Sequence, residues 1–198
     1  MNPEIFAPAI QVIHRFCEER ETVHAEELIH ALWSQPIDEV FLQYEVPSHT
    51  VETFYEKIAG IDYKELDVIP FADYVALQEI DDIKILVTTG LKELQNAKID
   101  ALRIRQDFTA VYIDDPRTQP RNTKYDIFSR ILKEHQIRPQ EAWVVGDNPD
   151  SEIKAAHQLG MRTIQRSSPT KKKSPLADYY IEGFNELRAL HRIHKLKT

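Results

Sequence analysis

Residues 142–165 have the sequence AWVVGDNPDSEIKAAHQLGMRTIQ, in which two short apolar runs enclose an acidic loop and a helical pattern. The first apolar run ends at Gly146, and the helical pattern stops at Gly160, just before the second run. Glycine is common directly after the last turn of a helix. The order of strand, loop, helix and strand predicts a βαβ unit with two parallel strands.

Two acidic residues of this stretch, Asp147 and Glu152, follow the first predicted strand. In a parallel sheet such a loop lies at the carboxyl end of a strand, where α/β folds hold their ligands. Carboxylates held there by the backbone are suitable ligands for a hard divalent cation. A purely structural role is the alternative, with Asp147 as a turn residue and Asp150 or Ser151 as a helix cap.

The composition is that of an ordinary globular protein. The chain has 198 residues, of which 42% are hydrophobic and 29% charged, and its formal net charge is −7. Nucleic-acid binding usually requires a basic face, so we expect no nucleic-acid partner. No apolar run approaches the ~18 residues of a membrane span. The N-terminal segment also lacks the pattern of a secretion signal, so we expect a cytoplasmic protein without a membrane partner.

The character of the sequence changes along the chain. Residues 1–66 show helical spacing of apolar residues and little strand signal, which predicts a small helical domain. From residue 67 onward, strands alternate with helices, which predicts an α/β core with a parallel sheet over residues 67–198. The predicted strands are residues 83–87, 109–113, 143–145, 161–164 and 179–181. Three lysines, Lys171, Lys172 and Lys173, lie among Ser, Pro and Thr and predict a solvated loop.

Two further clusters fall at the predicted strand ends or helix starts. Thr88, Thr89 and Gly90 follow an apolar strand and precede a helix, where a hydroxyl and free N–H groups make an anion site. Lys124 lies in the first turn of a helix predicted over residues 122–135 with Asn122 as its cap, although the helix dipole mildly disfavours a cation there.

Threonine, lysine and paired carboxylates together form a set suited to binding a phosphoryl group and magnesium. Each member alone has a simpler explanation. Threonine is favoured in strands by propensity, and an isolated lysine is usually a solvated surface residue. The order and spacing of the whole set favour the functional interpretation.

The complete set resembles the haloacid dehalogenase-like (HAD) superfamily of phosphohydrolases, in the branch that carries a helical cap. The segment VVGDNPDSEIKAA, residues 144–156, is similar to the fourth motif of that family. The resemblance implies that Asp147 and Glu152 hold Mg²⁺, although family members more often have aspartate at the second position. It also implies a Rossmannoid parallel-sheet core with an N-terminal helical cap.

Two other motifs of the family match this sequence. The segment LVTTG, residues 86–90, resembles the second motif. The resemblance implies that Thr88 supplies the phosphate-binding hydroxyl, with Thr89 and Gly90 beside it. Lys124 matches the lysine of the third motif, so the family's catalytic roles fall on Thr88 and Lys124 and its substrate would be a small phosphorylated molecule.

The first motif of the family has no counterpart in this sequence. In the family it is an apolar strand ending in DxDxT or DxDxV before the cap, and its first aspartate attacks phosphorus. Residues 111–118, VYIDDPRT, have an Asp and a Thr at similar spacing, but Pro116 stands at the position of the acid/base carboxylate. Either the chain begins at an internal methionine, which we favour, or it is a truncated and inactive relative.

Two functional hypotheses follow. The first is a Mg²⁺-dependent phosphatase of a small phosphorylated metabolite, impaired as this polypeptide stands because the nucleophile motif is absent. The alternative is a catalytically inactive HAD-like protein that binds a phosphorylated ligand or acts as a regulator.

Overall fold

The computed structural model describes residues 3–20, 24–63, 66, 68–118, 120 and 122–195. About half of the chain is helical, and all of the strand pairs are parallel, which confirms the predicted α/β class. In these ranges, none of the helices combines the length and apolar character needed to cross a membrane.

The first part of the described chain is entirely helical. A 3₁₀ turn at Pro3–Phe6 leads into four α-helices: α1 (Ala7–Glu18), α2 (Ala25–Ser34), α3 (Ile37–Gln43) and α4 (Ser48–Ala59). Their apolar residues recur at helical spacing, so each helix turns one stripe inward, and the stripes form a shared core that includes Ile13, Leu28, Val40 and Phe54. Leu91, at the start of the next long helix, packs into the same core.

The second part alternates strands and helices. Its helices are α5 (Val75–Gln78), α6 (Lys92–Ala101), α7 (Lys124–Glu134), α8 (Lys154–Gln158) and α9 (Phe184–Lys195). Its strands are β1 (Ile85–Thr89), β2 (Ala110–Asp114), β3 (Trp143–Gly146), β4 (Arg162–Arg166) and β5 (Tyr179–Ile181). The boundary at residue 66 between cap and core stays a prediction.

The strands form two parallel sheets in the described part of the chain. One contains β1 and β2, and the other has the order β3–β4–β5. Helix α7 joins the two sheets, because Ile127, Phe128 and Ile131 share an apolar cluster with side chains of β1, β2 and β3. The first residue of α7 therefore lies near the carboxyl ends of strands from both sheets.

The structure differs from the sequence predictions at several helix ends. Helix α7 is capped by Thr123, which exchanges hydrogen bonds with Asp126 in a capping box, whereas Asn122 was the predicted cap. The sequence pattern of residues 71–80 also predicts a helix, which in the structure covers only Val75–Gln78. Gly60 and Gly160 both follow helix ends, as the sequence predicts. Gly160 has φ +73°, which favours glycine, whereas Gly60 has φ −81°, which other residues also adopt. Asn2 followed by Pro3 also predicts a helix start, but Asn2 lies outside the described residues.

The cap of α7 can be tested with neighbouring substitutions. We expect Thr123→Ala to lower the free energy of unfolding by about 1 kcal/mol, because it removes the acceptor for the Asp126 N–H. Asn122→Ala should change it by less than about 0.5 kcal/mol, as is usual for an exposed residue outside such a motif. Urea unfolding monitored by circular dichroism measures both. A larger loss of unfolding free energy for Asn122→Ala than for Thr123→Ala would identify Asn122 as the cap.

Candidate functional site

Lys124 is the centre of the candidate site. It is the first residue of α7, yet only 5% of its side chain is exposed, and its Nζ lies 3.6 Å from Oε1 of Glu152. Burial lowers the pKa of the Lys124 ammonium, and the charges of Glu152 and Asp114 oppose part of that shift. The structure thus rules out the surface role that is most common for an isolated lysine.

Glu152 reaches Lys124 from a single turn of π-helix, Pro149–Ile153, which follows β3. The turn lies tightly against the end of that strand, since a Cβ built on Gly146 would be 2.8 Å from Cβ of Glu152. Glycine at position 146 is what allows this approach. π-helical turns are frequent at functional sites.

The second oxygen of Glu152, Oε2, is buried and has no hydrogen-bond partner among the described residues. A buried carboxylate oxygen is costly to leave unpaired, and it is also a suitable ligand for Mg²⁺. Asp147, the other predicted metal ligand, is exposed, and its backbone carbonyl accepts a hydrogen bond from Gln165. Across the described ranges, no three His, Cys, Asp or Glu side chains form a metal-binding group. Glu152 fits a magnesium ion, but the described side chains supply an incomplete ligand set.

The predicted phosphate loop lies on the other side of the site. The Thr89 hydroxyl donates to Oδ2 of Asp114 over 3.1 Å, and the Gly90 N–H donates to the Asp114 carbonyl over 3.0 Å. Gly90 has φ +141°, and a side chain there would collide with Gln95, so the turn requires glycine. In this structure the Thr89 hydroxyl and the Gly90 N–H are both hydrogen-bonded to Asp114, the last residue of β2. The phosphate-binding roles of Thr88, Thr89, Gly90 and Lys124 stay predictions.

Asp114 is a site residue that the sequence offered only as part of a poor match to the first motif, residues 111–118. It ends β2 and is only 4% exposed. Burial raises the pKa of its carboxyl group, while the hydrogen bond from Thr89 and the charge of Lys124 oppose the increase. Its sequence signal was an acid at the end of an apolar strand, which also fits a simple turn. Only the hydrogen bond from Thr89 and the nearby charge of Lys124 distinguish the two interpretations.

Asp115, the next residue, has a structural role. Burial alone would raise its pKa, but hydrogen bonds from Arg117 and from the Lys92 N–H hold the pKa below its usual value. Arg117 also pairs with Glu93 at 2.6 Å and lies over the ring of Tyr55, 5.9 Å from its centroid. The Arg117 guanidinium therefore connects α6 and the loop after β2 with α4 of the N-terminal helices.

Known proteins were compared by sequence and by fold. A sequence model of the family described as haloacid dehalogenase-like hydrolase matches residues 7–165. No sequence among curated proteins matches the chain significantly.

Several solved structures share the fold. A conserved haloacid dehalogenase-like protein from Agrobacterium tumefaciens is 19% identical, with a TM-score of 0.63 over 98% of this chain and 93% of that chain. A candidate beta-phosphoglucomutase from Thermotoga maritima is 13% identical, with a TM-score of 0.61 over 97% and 92%. The candidate hydrolase YfnB from Bacillus subtilis, solved bound to magnesium, is 14% identical, with a TM-score of 0.56 over 96% and 84%. At these identities the likeness shows the fold alone.

The contact between Lys124 and Glu152 predicts a specific pattern in a double-mutant cycle. We expect Lys124→Met to lower the free energy of unfolding by roughly 3 kcal/mol, because it leaves buried carboxylates without their cation. Adding Glu152→Gln should recover part of that loss, since it removes one of those charges. Urea unfolding at pH 7 measures each variant.

An exposed ion pair on the same helix is the matched control. Arg130 and Glu134 approach to 3.8 Å, and both side chains are about half exposed. The corresponding Arg130→Met and Glu134→Gln variants should each change the free energy of unfolding by less than about 1 kcal/mol. Equal effects for the two pairs would contradict a buried, coupled Lys124–Glu152 contact.

Proposed function

This chain belongs to the haloacid dehalogenase-like hydrolase family, and on that premise we propose that its site binds a small phosphorylated metabolite together with Mg²⁺, as a phosphatase of that family does. The observation that carries the proposal is the buried Lys124 ammonium beside a Glu152 carboxylate whose second oxygen has no partner among the described residues. A cation and a metal-seeking oxygen thus lie together at the carboxyl ends of parallel strands, where α/β folds bind ligands.

The residues would divide the work as follows. Lys124 would pair with a phosphoryl oxygen, and the Thr88 hydroxyl would hold another. Glu152 and Asp147 would hold Mg²⁺, which when bound would neutralise charge on the phosphoryl group. Asp114 would fix the turn at Thr89 and Gly90 through its contacts with both residues.

Turnover needs an attacking group, and the family's nucleophile motif has no match in the sequence. Asp114, at the end of an apolar strand, is the described carboxylate that most resembles the family's nucleophile. Pro116, however, stands where the acid/base carboxylate would be. We therefore propose that this polypeptide binds phosphate and Mg²⁺ but hydrolyses phosphate esters little, if at all.

A non-catalytic phosphate-binding role is the second candidate. It is favoured because the family's nucleophile motif has no match in the sequence and because the described residues supply an incomplete metal ligand set. Both candidates require ligand binding, and they differ in whether any residual Mg²⁺-dependent hydrolysis can be measured.

Calorimetric titration with inorganic phosphate, with and without MgCl₂, tests the binding. We expect Mg²⁺ to tighten phosphate binding, and Lys124→Met to weaken it roughly 10-fold to 100-fold, the range for losing one charged hydrogen bond. Glu152→Gln and Asp147→Asn should remove the Mg²⁺ dependence, whereas Asp150→Asn, in the same loop, should retain it. Absence of phosphate binding by the folded protein would reject both candidate functions.

Hydrolysis of p-nitrophenyl phosphate distinguishes the two candidate functions. An impaired phosphatase should give a slow, Mg²⁺-dependent rate above background, whereas a non-catalytic phosphate-binding protein should give only the background rate. Hydrolysis that Asp147→Ala abolishes would show that a nucleophile is present and that the non-catalytic candidate is wrong.

A further inference from the structure

The loop between β4 and β5 begins at the same edge of the sheet as the acidic loop. Strands β3 and β4 are parallel, and Gly146 is paired with Gln165 near the carboxyl end of both. Residues 167–174, which we call the lysine loop, follow β4 from that edge. The loop carries Lys171, Lys172 and Lys173, and it starts at the same edge of the sheet as the loop that bears Asp147.

Gln165 ties the lysine loop to the acidic loop. Its side chain is almost fully buried, and its amide nitrogen donates to the carbonyl of Asp147 over 3.3 Å and to that of Lys172 over 2.8 Å. Its amide oxygen accepts from the Ser174 N–H over 2.7 Å. One buried side chain therefore holds the backbone of Lys172 beside that of Asp147. The segment is a loop with exposed side chains at Lys172 and Lys173, as predicted, and the hydrogen bonds from Gln165 fix its backbone.

The lysine loop concentrates positive charge in an acidic protein. Residues 166–177 contain four Lys and Arg and no acidic residue, although the chain carries a net charge of −7. The Lys173 ammonium lies over the ring of Tyr180, 5.0 Å from its centroid, and Tyr180 donates to the Ser174 carbonyl. Within the described ranges, Lys171 and Lys172 belong to no ion pair.

We propose that Lys171 and Lys172 bind a second anionic group of the ligand whose phosphoryl group occupies the Lys124 site. This inference rests on the proposed function and names its substrate class: a phosphorylated compound that also bears a carboxylate or a second phosphate. Lysine ammonium groups bind either anion as point charges. Because the backbone of Lys172 is fixed beside Asp147, the second anion is bound near the metal-binding loop rather than at an arbitrary surface position.

Matched pairs of ligands test the proposal by calorimetric titration in MgCl₂. The first pair is ethyl phosphate and 2-phosphoglycolate, and the second is butyl phosphate and 1,4-butanediol bisphosphate, which has a longer reach. We expect at least one ligand with two anionic groups to bind roughly 3-fold to 30-fold more tightly than its partner, the range for two exposed ion pairs. The advantage should shrink as ionic strength rises.

The variants assign that advantage to the lysine loop. The double variant Lys171→Gln/Lys172→Gln should abolish it while leaving the binding of ethyl phosphate unchanged within about twofold. The control Lys57→Gln/Lys133→Gln has the same change in net charge outside the loop and should retain it.

Three outcomes would overturn the proposal. If ethyl phosphate binds but neither ligand with two anionic groups binds more tightly, the lysine loop is no subsite, and the proposed function stands. An equal loss of the affinity advantage in both double variants would show that the advantage comes from the overall net charge and not from the lysine loop. If none of the four ligands binds to the folded wild-type protein, the proposed function fails and the subsite fails with it.

Discussion

The buried ion pair of Lys124 and Glu152 is the contact on which the candidate site depends. A lysine ammonium inside a protein is costly unless carboxylates surround it, so its burial forces several elements to converge. Helix α7 supplies the lysine, the π-helical turn after β3 supplies Glu152, and Asp114 approaches from the end of β2. The apolar cluster of α7 with strands of both sheets keeps these elements together.

Charge around this pair is unevenly distributed. Two carboxylates, those of Asp114 and Glu152, act on the single ammonium of Lys124. The excess negative charge favours a cation between these carboxylates and a bound phosphoryl group. The lysine loop adds positive charge beside Asp147, and Arg117 neutralises Asp115 away from Lys124. Groups that would attract anions and groups that would attract a metal ion therefore both lie at the carboxyl ends of strands in the two sheets.

Local sequence patterns predicted the helices and strands well where residues close in sequence determine the structure. The alternation of apolar runs and helical patterns indicated the five strands of the described residues, and Gly160 marked a true helix end because that position requires positive φ. The same signals failed where two neighbours have equivalent chemistry. Asn122 and Thr123 are both good caps, and the hydrogen bonds with Asp126 select Thr123.

From the sequence alone, the α/β class and the family resemblance followed. So did the prediction that Thr88, Lys124, Asp147 and Glu152 form a set, because spacing relative to strands and helices can be read from the sequence. Tertiary structure alone decided that Lys124 is buried, that Asp114 joins it, and that Gln165 holds the lysine loop beside Asp147. Each of these depends on residues from different elements meeting in space. Burial and pairing of charges are properties of that packing, and local pattern does not encode them.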